Sequence, residues 1–492
     1  MQDENDLDTY EAYQEAFAEA GINENDVAVS ATVSTYYNEE AEAADPLVAT
    51  GICEISLGTV MLSQAKTARH AVELLGDIID KHGSGECNTI LISDPNETWY
   101  MEIVSGHQYA AVKLPDDKVA AIPNMMLLGA IDVNDTENVI ASEGLVGVPK
   151  EAGFLVEENG MIHVAKTYST PDPGRGQLTR LWQGVYFLNA AQADSINIES
   201  ADGKKAGAFD LLFNPDRKVS TKDVLDFLGY RGVGTQYDSN ANSKIYAIGN
   251  NNQAECHVME MRPGMASGLV GIEWLAMSRA EFSLYLPFYA GLITETLDNY
   301  HYEDLEYNQD SVYWTFCELA DLCDENRADY GTNVQKFWSI YQEKLIEQQA
   351  EVDQKMVKLM AKDPEAAQAK ATELGKAVAK EALGYAQQML AELQAFVAEG
   401  KTGTFMPSAL ANNSLPTYSF AMAGADYDFD DDVTSGDPTD KPSDKPSNPD
   451  DSTSSGTNSP QTGDFANLGA FAMMLIVAGS VLAFGKKAKK KQ

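Results

Sequence analysis

The stretch from residue 88 to residue 124 contains three short runs dominated by β-branched and aromatic residues, separated by Asp, Pro, Asn, Ser and Gly. The runs are NTILISD (88–94), TWYMEI (98–103) and YAAVKL (109–114). Runs of this length between turn residues are typical of consecutive antiparallel strands. Because the runs carry few charges, we expect other layers of the protein to cover both faces of the sheet. This stretch therefore predicts a layered α/β domain with an interior sheet.

Two segments have the apolar periodicity of helices that would cover such a sheet. In TARHAVELLGDIIDK (67–81) the apolar residues fall on one stripe, as in an amphipathic helix. After the chain-breaking Pro-Gly-Arg-Gly at 173–176, a second apolar stripe runs to Leu188, and Arg180 lies off that stripe. Both segments are predicted to be helices.

Two later segments complete the predicted secondary structure. Residues 243–264 are predicted to form a β-hairpin whose turn is Gly-Asn-Asn-Asn at 249–252. Residues 331–400 are rich in strong helix formers and in charge pairs four residues apart, with a break at Lys-Asp-Pro (362–364). We interpret this second segment as a helical appendage packed on the domain that precedes it.

The composition limits the partners and the chemistry. The chain has 492 residues, of which 75 are acidic and 35 basic, so its formal charge is −40. Nucleic-acid binding requires basic patches, and we therefore expect no nucleic-acid partner. No tight CxxC pair is present, and we predict no disulfide framework, no metal site and no cofactor. The cysteines, interpreted as unreactive core thiols, are Cys53, Cys87, Cys256, Cys317 and Cys323.

The C-terminal part of the chain has a different composition. Residues 424–463 are rich in Asp, Ser and Pro with almost no large apolar residue, so they cannot bury enough surface to fold. They predict a disordered stalk. The apolar run at 465–485 is long enough to form one transmembrane helix, and the basic KKAKKKQ after it is expected to stay cytoplasmic.

The order of stalk, pentapeptide, apolar span and basic end resembles a sortase cell-wall sorting signal, here at 459–492. The pentapeptide consists of Ser459, Pro460, Gln461, Thr462 and Gly463. The resemblance implies cleavage between Thr462 and Gly463 and attachment to peptidoglycan on the surface of a Gram-positive bacterium. Sortase, peptidoglycan and, before sorting, the membrane would be the partners. A plain C-terminal membrane anchor is the alternative.

Three stretches resemble the family C69 dipeptidases, relatives of the choloylglycine and penicillin V acylases. They are WYMEI-SGHQ-AAVKLPDD-AAIPN within 99–124, GLVGIEWLAMSRAEFSLYLPFYAG (268–291) and SVYWTFCELADL (311–322). The resemblance implies the four-layer αββα sandwich of the N-terminal nucleophile hydrolases over residues 1–330. It also implies that a cysteine at the mature N-terminus attacks the amide while its own α-amine handles the proton.

The resemblance assigns candidate site residues. Asn124 matches an asparagine of the family and is predicted to donate to the oxyanion, with a turn-capping role as the alternative. Arg180 matches an arginine near the nucleophile, where it would stabilise charge or lower the thiol pKa; a surface ion pair is the alternative. The family pattern R-x-W-R has Gln183 in place of its second arginine here. His107 is a candidate substrate-binding residue or a satisfied sheet histidine.

The start of the sequence does not match what the family and the sorting signal imply. Residues 1–20 are acidic, lack the apolar core of an export signal and contain no cysteine. We therefore expect that the chain lacks an N-terminal portion holding a signal peptide and the nucleophile, and that the 492-residue chain is inactive.

These features lead to three hypotheses about function. The first is a cell-surface cysteine dipeptidase whose substrates are dipeptides and other short peptides. The second is a surface domain without catalysis that serves as a binding or adhesion module. The third is an amidase of the choloylglycine or penicillin acylase type.

Overall fold

A computed structural model describes residues 18–203, 205, 207–301, 307–414 and 416–424. Its strands are β1 Ala20–Ile22, β2 Ala28–Thr35, β3 Cys87–Ser93, β4 Thr98–Ile103, β5 Tyr109–Lys113, β6 Ala130–Ile131, β7 Val139–Ala141, β8 Glu157–Glu158, β9 Met161–His163, β10 Glu255–Met261, β11 Gly271–Met277 and β12 Leu286–Phe288. Its α-helices are α1 Glu39–Ala44, α2 Glu54–Gln64, α3 Ala68–His82, α4 Gly147–Ala152, α5 Val164–Tyr168, α6 Arg175–Leu188, α7 Ala190–Asp194, α8 Thr221–Leu228, α9 Val312–Glu325, α10 Thr332–Lys362, α11 Pro364–Ala398 and α12 Ser408–Ala411. The mixed α/β class predicted from the sequence is confirmed.

Among the described strands, six form one antiparallel sheet in the order β1-β2-β3-β4-β5-β7. The strands predicted between residues 88 and 114 are confirmed as β3, β4 and β5. Ile90 of β3 lies opposite Met101 of β4, which in turn lies opposite Ala111 of β5. Because side chains alternate along a strand, this register assigns each residue to one face of the sheet.

Helices α2 and α3 cover one face of this sheet. The helix predicted at 67–81 is confirmed as α3; the Thr67 side chain accepts a hydrogen bond from the amide of His70 (3.1 Å), and Gly83 with φ of 75° ends the helix. The apolar cluster between the two helices and the sheet includes Leu57, Met61, Val72, Leu75, Ile79, Val29, Ile90, Ile92, Trp99, Met101 and Ile103. All of these are buried, as expected for an interior sheet.

The other face of the sheet meets a second antiparallel sheet, β10-β11-β12. Ser30 of β2 and His257 of β10 are in contact across the interface, with Oγ and Nε2 3.0 Å apart. On the far side of the second sheet, Thr221 of α8 lies 3.2 Å from the carboxylate of Glu260. Helices α8, α9, α10 and α11 all contact this sheet. The six-stranded sheet therefore has helices on one face and contacts the second sheet at β1 and β2, and the second sheet has helices on its far side.

The hairpin predicted at 243–264 is wrong. Strand β10 pairs instead with β11, and no strand precedes it within the described residues 243–254. The Asn250 side chain donates to the carbonyls of Ala247 (3.2 Å) and Ile248 (3.1 Å). These local side-chain bonds use backbone groups that a strand ladder would need, so the segment folds as turns.

The helical pair predicted at 331–400 is present as α10 and α11. Asp363 separates the helices and accepts a hydrogen bond from the amide of Ala366 (3.0 Å), and Pro364 begins α11. Buried residues such as Phe337 and Leu374 belong to the same apolar cluster as the second sheet. The pair therefore packs into the core of the protein, and the domain boundary near residue 330 stays a prediction.

Three C-terminal predictions lie outside the described residues: the stalk at 424–463 beyond its first residue, the sorting signal at 459–492 and the transmembrane span at 465–485. Within the described ranges, no helix combines the length and the apolar character needed to cross a membrane. The C-terminal interpretation stays a prediction.

Candidate active site

Asn124 lies in a tight turn in the segment between β5 and β6. The amide of Met125 donates to the carbonyl of Pro123 (2.7 Å), which places Asn124 at the centre of a three-residue turn. The backbone N–H of Asn124 donates to Oε1 of Gln177 (3.1 Å), and its Nδ2 donates to the carbonyl of Ser34 on β2 (3.1 Å). The turn is thereby fixed between the first sheet and helix α6.

Arg180 approaches this turn from α6. Its Nη2 donates to Oδ1 of Asn124 (2.9 Å) and also to Oε1 of Gln177, and its Nε donates to the carbonyl of Gly176 (3.4 Å). The guanidinium lies over the ring of Tyr246, 5.2 Å from the ring centroid. The structure thus brings together the two residues that the resemblance assigned to catalysis.

Among the residues that the structure describes, the charge of Arg180 is buried without a counter-charge. The residue is only 6% exposed, and none of the described carboxylates forms an ion pair with it. Burial lowers its pKa to about 10, so the guanidinium remains charged at neutral pH. The alternative interpretation of Arg180 as a surface ion pair is therefore wrong. A buried cation whose partners are all neutral favours binding of a negative charge.

His107 lies in the turn between β4 and β5 and is bound to Asp45. Its Nδ1 is 2.9 Å from Oδ1 of Asp45, and its backbone N–H donates to Oδ2 of Asp45 (2.7 Å). Ser105 and Gln108 also donate to this carboxylate. None of the contacts among the described residues joins His107 to Asn124. Its substrate-binding role stays a prediction.

Sequence reasoning missed three residues near the pair: Gln177, Tyr246 and Glu102. Gln177 lies one helical turn before Arg180, a spacing that indicates contact on a helix. Glu102 is fully buried on β4, and its Oε1 accepts from the amides of Leu127 (2.5 Å) and Leu128 (3.2 Å), just after Asn124. The sequence feature that could have identified Glu102 is its position as a single acidic residue in an otherwise uncharged strand. Tyr246 had no such signal, because it comes from a turn-rich segment.

The cysteines do not have the environment of an activated nucleophile. Burial raises the pKa of Cys87 and Cys323 to about 12, and it also raises the pKa of the other three thiols. All five cysteines are free of disulfide bonds. Thiols with raised pKa values are poor nucleophiles at neutral pH. Within the described ranges, no group of three or more His, Cys, Asp and Glu side chains is placed to hold a metal ion.

A separate cavity of about 1050 Å³ is lined by residues that include Asn38, Ser169 and Val185. Neither Asn124 nor Arg180 lines it. We place the candidate site at the buried pair because the pair supplies the unbalanced charge and the hydrogen-bond donors that carbonyl chemistry requires.

Together, the fold and the site define a class of protein: a mixed α/β protein in which a buried guanidinium and a side-chain amide are arranged to stabilise negative charge, as enzymes that attack carbonyl groups require. Comparison with known proteins makes this specific, because the sequence profile of Peptidase family C69 matches residues 5–340. The chain belongs to this family, and it is therefore a peptidase.

Similar proteins include a probable dipeptidase B of Streptococcus pyogenes serotype M1, 34% identical over 376 residues that cover 73% of each chain. A probable dipeptidase of Latilactobacillus sakei is 30% identical over 323 residues, covering 63% of this chain and 65% of the relative. A probable dipeptidase of Salmonella dublin is 32% identical over 288 residues, covering 58% and 65%. The family assignment predicted from the quoted motifs is confirmed.

Proposed function

We propose that this protein hydrolyses dipeptides and other short peptides by attack of a cysteine thiolate on the peptide carbonyl. The observation that carries the proposal is the buried pair of Arg180 and Asn124 in a chain of the C69 peptidase family. The names of the relatives support the substrate class, since they are probable dipeptidases. A free dipeptide brings a carboxylate close to its scissile bond, and the uncompensated charge of Arg180 favours such a ligand.

The donors of the pair suit the oxyanion that forms during attack. The side-chain amide of Asn124 has two N–H groups, and one of them is bound to the carbonyl of Ser34. The second N–H has no partner among the described residues. The Nη1 group of Arg180 likewise has none there. These preplaced donors would stabilise the negative charge on the carbonyl oxygen without reorganising at the moment of reaction.

The reaction then proceeds in two steps, formation of a thioester and its hydrolysis. The thiolate forms a bond to the carbonyl carbon, and the tetrahedral oxyanion collapses with cleavage of the C–N bond, while the leaving amine takes a proton from the α-ammonium of the cysteine. Water gives a proton to the α-amine as it adds to the thioester carbonyl, and the second oxyanion collapses with cleavage of the C–S bond. The thiolate and the α-ammonium are thereby restored. Asn124 and Arg180 have the same role in both steps. The products are the two amino acids of a dipeptide.

We assign the attack to a cysteine at the N-terminus of the mature protein rather than to any of the five cysteines of this sequence. The raised pKa values of the five cysteines support this assignment, as does the lack of any described contact between them and Asn124 or Arg180. The proposed fold is the αββα sandwich of the N-terminal nucleophile hydrolases, supported by the order of layers. In such a fold the attacking group would be the terminal residue itself.

We propose that the protein is exported and attached to peptidoglycan through the sorting signal at 459–492, on the basis of its sequence order alone. Digestion of purified cell walls with a muramidase tests this location. A protein that is absent from the solubilised wall fraction and present only in the cytoplasm would contradict it.

Hydrolysis is tested with the complete gene product and a panel of dipeptides, measured by release of free amino acids. Replacing the proposed N-terminal cysteine with alanine is expected to lower the rate by at least about 10³-fold. The matched control is Cys87→Ala, which removes a buried thiol of the described chain and is expected to leave kcat unchanged.

Each other outcome points to a specific alternative. Equal hydrolysis by the unmodified protein and the N-terminal variant would exclude the proposed nucleophile. Loss of activity in Cys87→Ala alone would assign the attack to that residue. Cleavage of penicillin V or a conjugated bile acid without cleavage of any dipeptide would favour the amidase hypothesis. Absence of hydrolysis with all substrates would favour the hypothesis of a binding or adhesion module.

A further inference from the structure

The segment that carries Asn124 is held in place by a buried carboxylate. Oε1 of Glu102 accepts hydrogen bonds from the amide of Leu127 (2.5 Å), the amide of Leu128 (3.2 Å) and the hydroxyl of Tyr100 (2.6 Å). Glu102 is fully buried on β4, on the face of the sheet opposite the one that α2 and α3 cover. Its Oε2 is also buried and has no hydrogen-bond partner within the described part of the chain.

The residues around Asn124 have few other backbone ties to the sheet. Residues 123–128 lie between β5 and β6 and form neither helix nor strand. One end of this segment is tied by the contacts of Asn124 with Ser34 and Gln177. The other end is tied by the contacts with Glu102 and by the carbonyl of Leu128, which accepts a hydrogen bond from the amide of Ala165 (2.8 Å). Since buried amides need acceptors, the Glu102 carboxylate helps to fix the position of the amides of Leu127 and Leu128 at this end.

We propose that Glu102 is a positioning residue for peptide hydrolysis, which holds the 123–128 segment so that Asn124 presents its amide to the oxyanion. The inference rests on the proposed function for its effect on rate. Glu102 touches no substrate in this role, because it acts through the amides of Leu127 and Leu128. A displacement of a catalytic group by about 1 Å can lower a rate by about 10²-fold.

The strength of this tie depends on ionisation of Glu102. Burial raises the pKa of Glu102 to about 7, against the opposing effect of its three hydrogen bonds. The titratable groups that face it are Tyr100 on its own strand and Cys87 on β3, and burial keeps both protonated at neutral pH. Amide bonds to an ionised carboxylate are stronger than those to a neutral acid. The segment should therefore be held more tightly as the pH rises through about 7.

Two variants separate the role of the acceptor oxygen of Glu102 from the role of its negative charge. Glu102→Gln keeps an acceptor oxygen for the two amides but cannot ionise, whereas Glu102→Leu removes the acceptor. We expect Glu102→Leu to lower kcat of the complete gene product by about 10- to 100-fold with a smaller change in KM, and Glu102→Gln to recover most of that loss. The ratio of wild-type kcat to that of Glu102→Gln should rise as the pH passes about 7.

A second measurement does not depend on hydrolysis. Hydrogen exchange of the amides of Leu127 and Leu128 in the 492-residue chain, corrected for intrinsic rates, should slow between about pH 6 and about pH 8 in the wild type and stay constant in Glu102→Gln. Exchange that is unchanged in Glu102→Leu would overturn the inference, as would wild-type kcat in that variant. If the wild type hydrolyses no peptide while exchange follows the expected pattern, the proposed function fails and the structural tie stands.

Discussion

The two faces of the six-stranded sheet differ in chemistry although the same strands build both. On the face covered by α2 and α3, β4 contributes Trp99, Met101 and Ile103 to an apolar cluster. On the face toward the second sheet, the alternate residues of the same strand are Tyr100 and Glu102, which bind each other and the segment after Asn124. The first face is mainly apolar, whereas the second combines apolar contacts with hydrogen bonds to a buried carboxylate.

This difference predicts which substitutions should change stability and which should change catalysis. Apolar burial is non-directional, so the helix-covered face can be altered without moving a catalytic donor by much. Hydrogen bonds to a buried charge require defined geometry. Changes on the face toward the second sheet, called the inner face below, should therefore affect the reaction rate, its pH dependence or both. Substitutions on the two faces test this separation.

The largest expected effect comes from Asn124→Ala on the inner side. Loss of one oxyanion donor is expected to lower kcat of the complete gene product by about 10²–10³-fold. The matched control is Asn88→Ala, since Asn88 is also a buried asparagine but binds Glu54 of α2 on the helix-covered side. Asn88→Ala should lose stability and keep its kcat per folded molecule. Equal loss of kcat in both variants would show that the faces are not separate.

The next largest expected effect is a loss of stability without a change in kcat. Leu75 of α3 is fully buried against the helix-covered face. Leu75→Ala is expected to lower the free energy of unfolding by about 2–5 kcal/mol, because it removes apolar contact and leaves a cavity. Denaturant unfolding measures the change, and peptide hydrolysis below the transition should proceed at the wild-type kcat. A large fall in kcat of the folded variant would contradict the separation.

The helix-covered face was largely predictable from sequence. The strand runs between 88 and 114 and the stripe at 67–81 each carry their own periodicity, and both appear in the structure within a residue or two. Local patterns of this kind are sufficient when one face of an element is apolar and the other is not. The same logic located the break between α10 and α11 at Asp363.

The inner face was less predictable, because its interactions join distant parts of the chain. Arg180 lies off the apolar stripe of α6, yet residues on both sides of that helix are buried, including Thr179 and Gln183. The strand pairing of β10 was missed since its partner follows rather than precedes it. The resemblance to a family identified Asn124 and Arg180, whereas periodicity alone gave no reason to expect contact between them.

The smallest of these effects concerns the polar contact between the two sheets. Nδ1 of His257 lies 2.7 Å from Glu255, and its Nε2 lies 3.0 Å from Ser30. Burial opposes protonation of His257, but the carboxylates of Glu255, Glu273 and Glu19 more than offset it and raise the pKa above 6.5. The charged form of His257 therefore stabilises the fold below the unfolded pKa, and this contribution is lost as the pH rises through the folded pKa.

His257→Gln keeps a polar group between the sheets and removes this titration. At about pH 6 we expect the variant to be less stable than the wild type by about 1.5 kcal/mol, the value of a hydrogen bond to a charged group. The difference should be smaller at about pH 9 than at about pH 6, because the charged fraction of the wild-type histidine falls as the pH rises. Urea unfolding at both pH values measures it, with Leu75→Ala as the control whose stability loss is independent of pH. A His257→Gln difference that is equal at both pH values would mean that the inner face, like the outer one, is stabilised by packing rather than by charge.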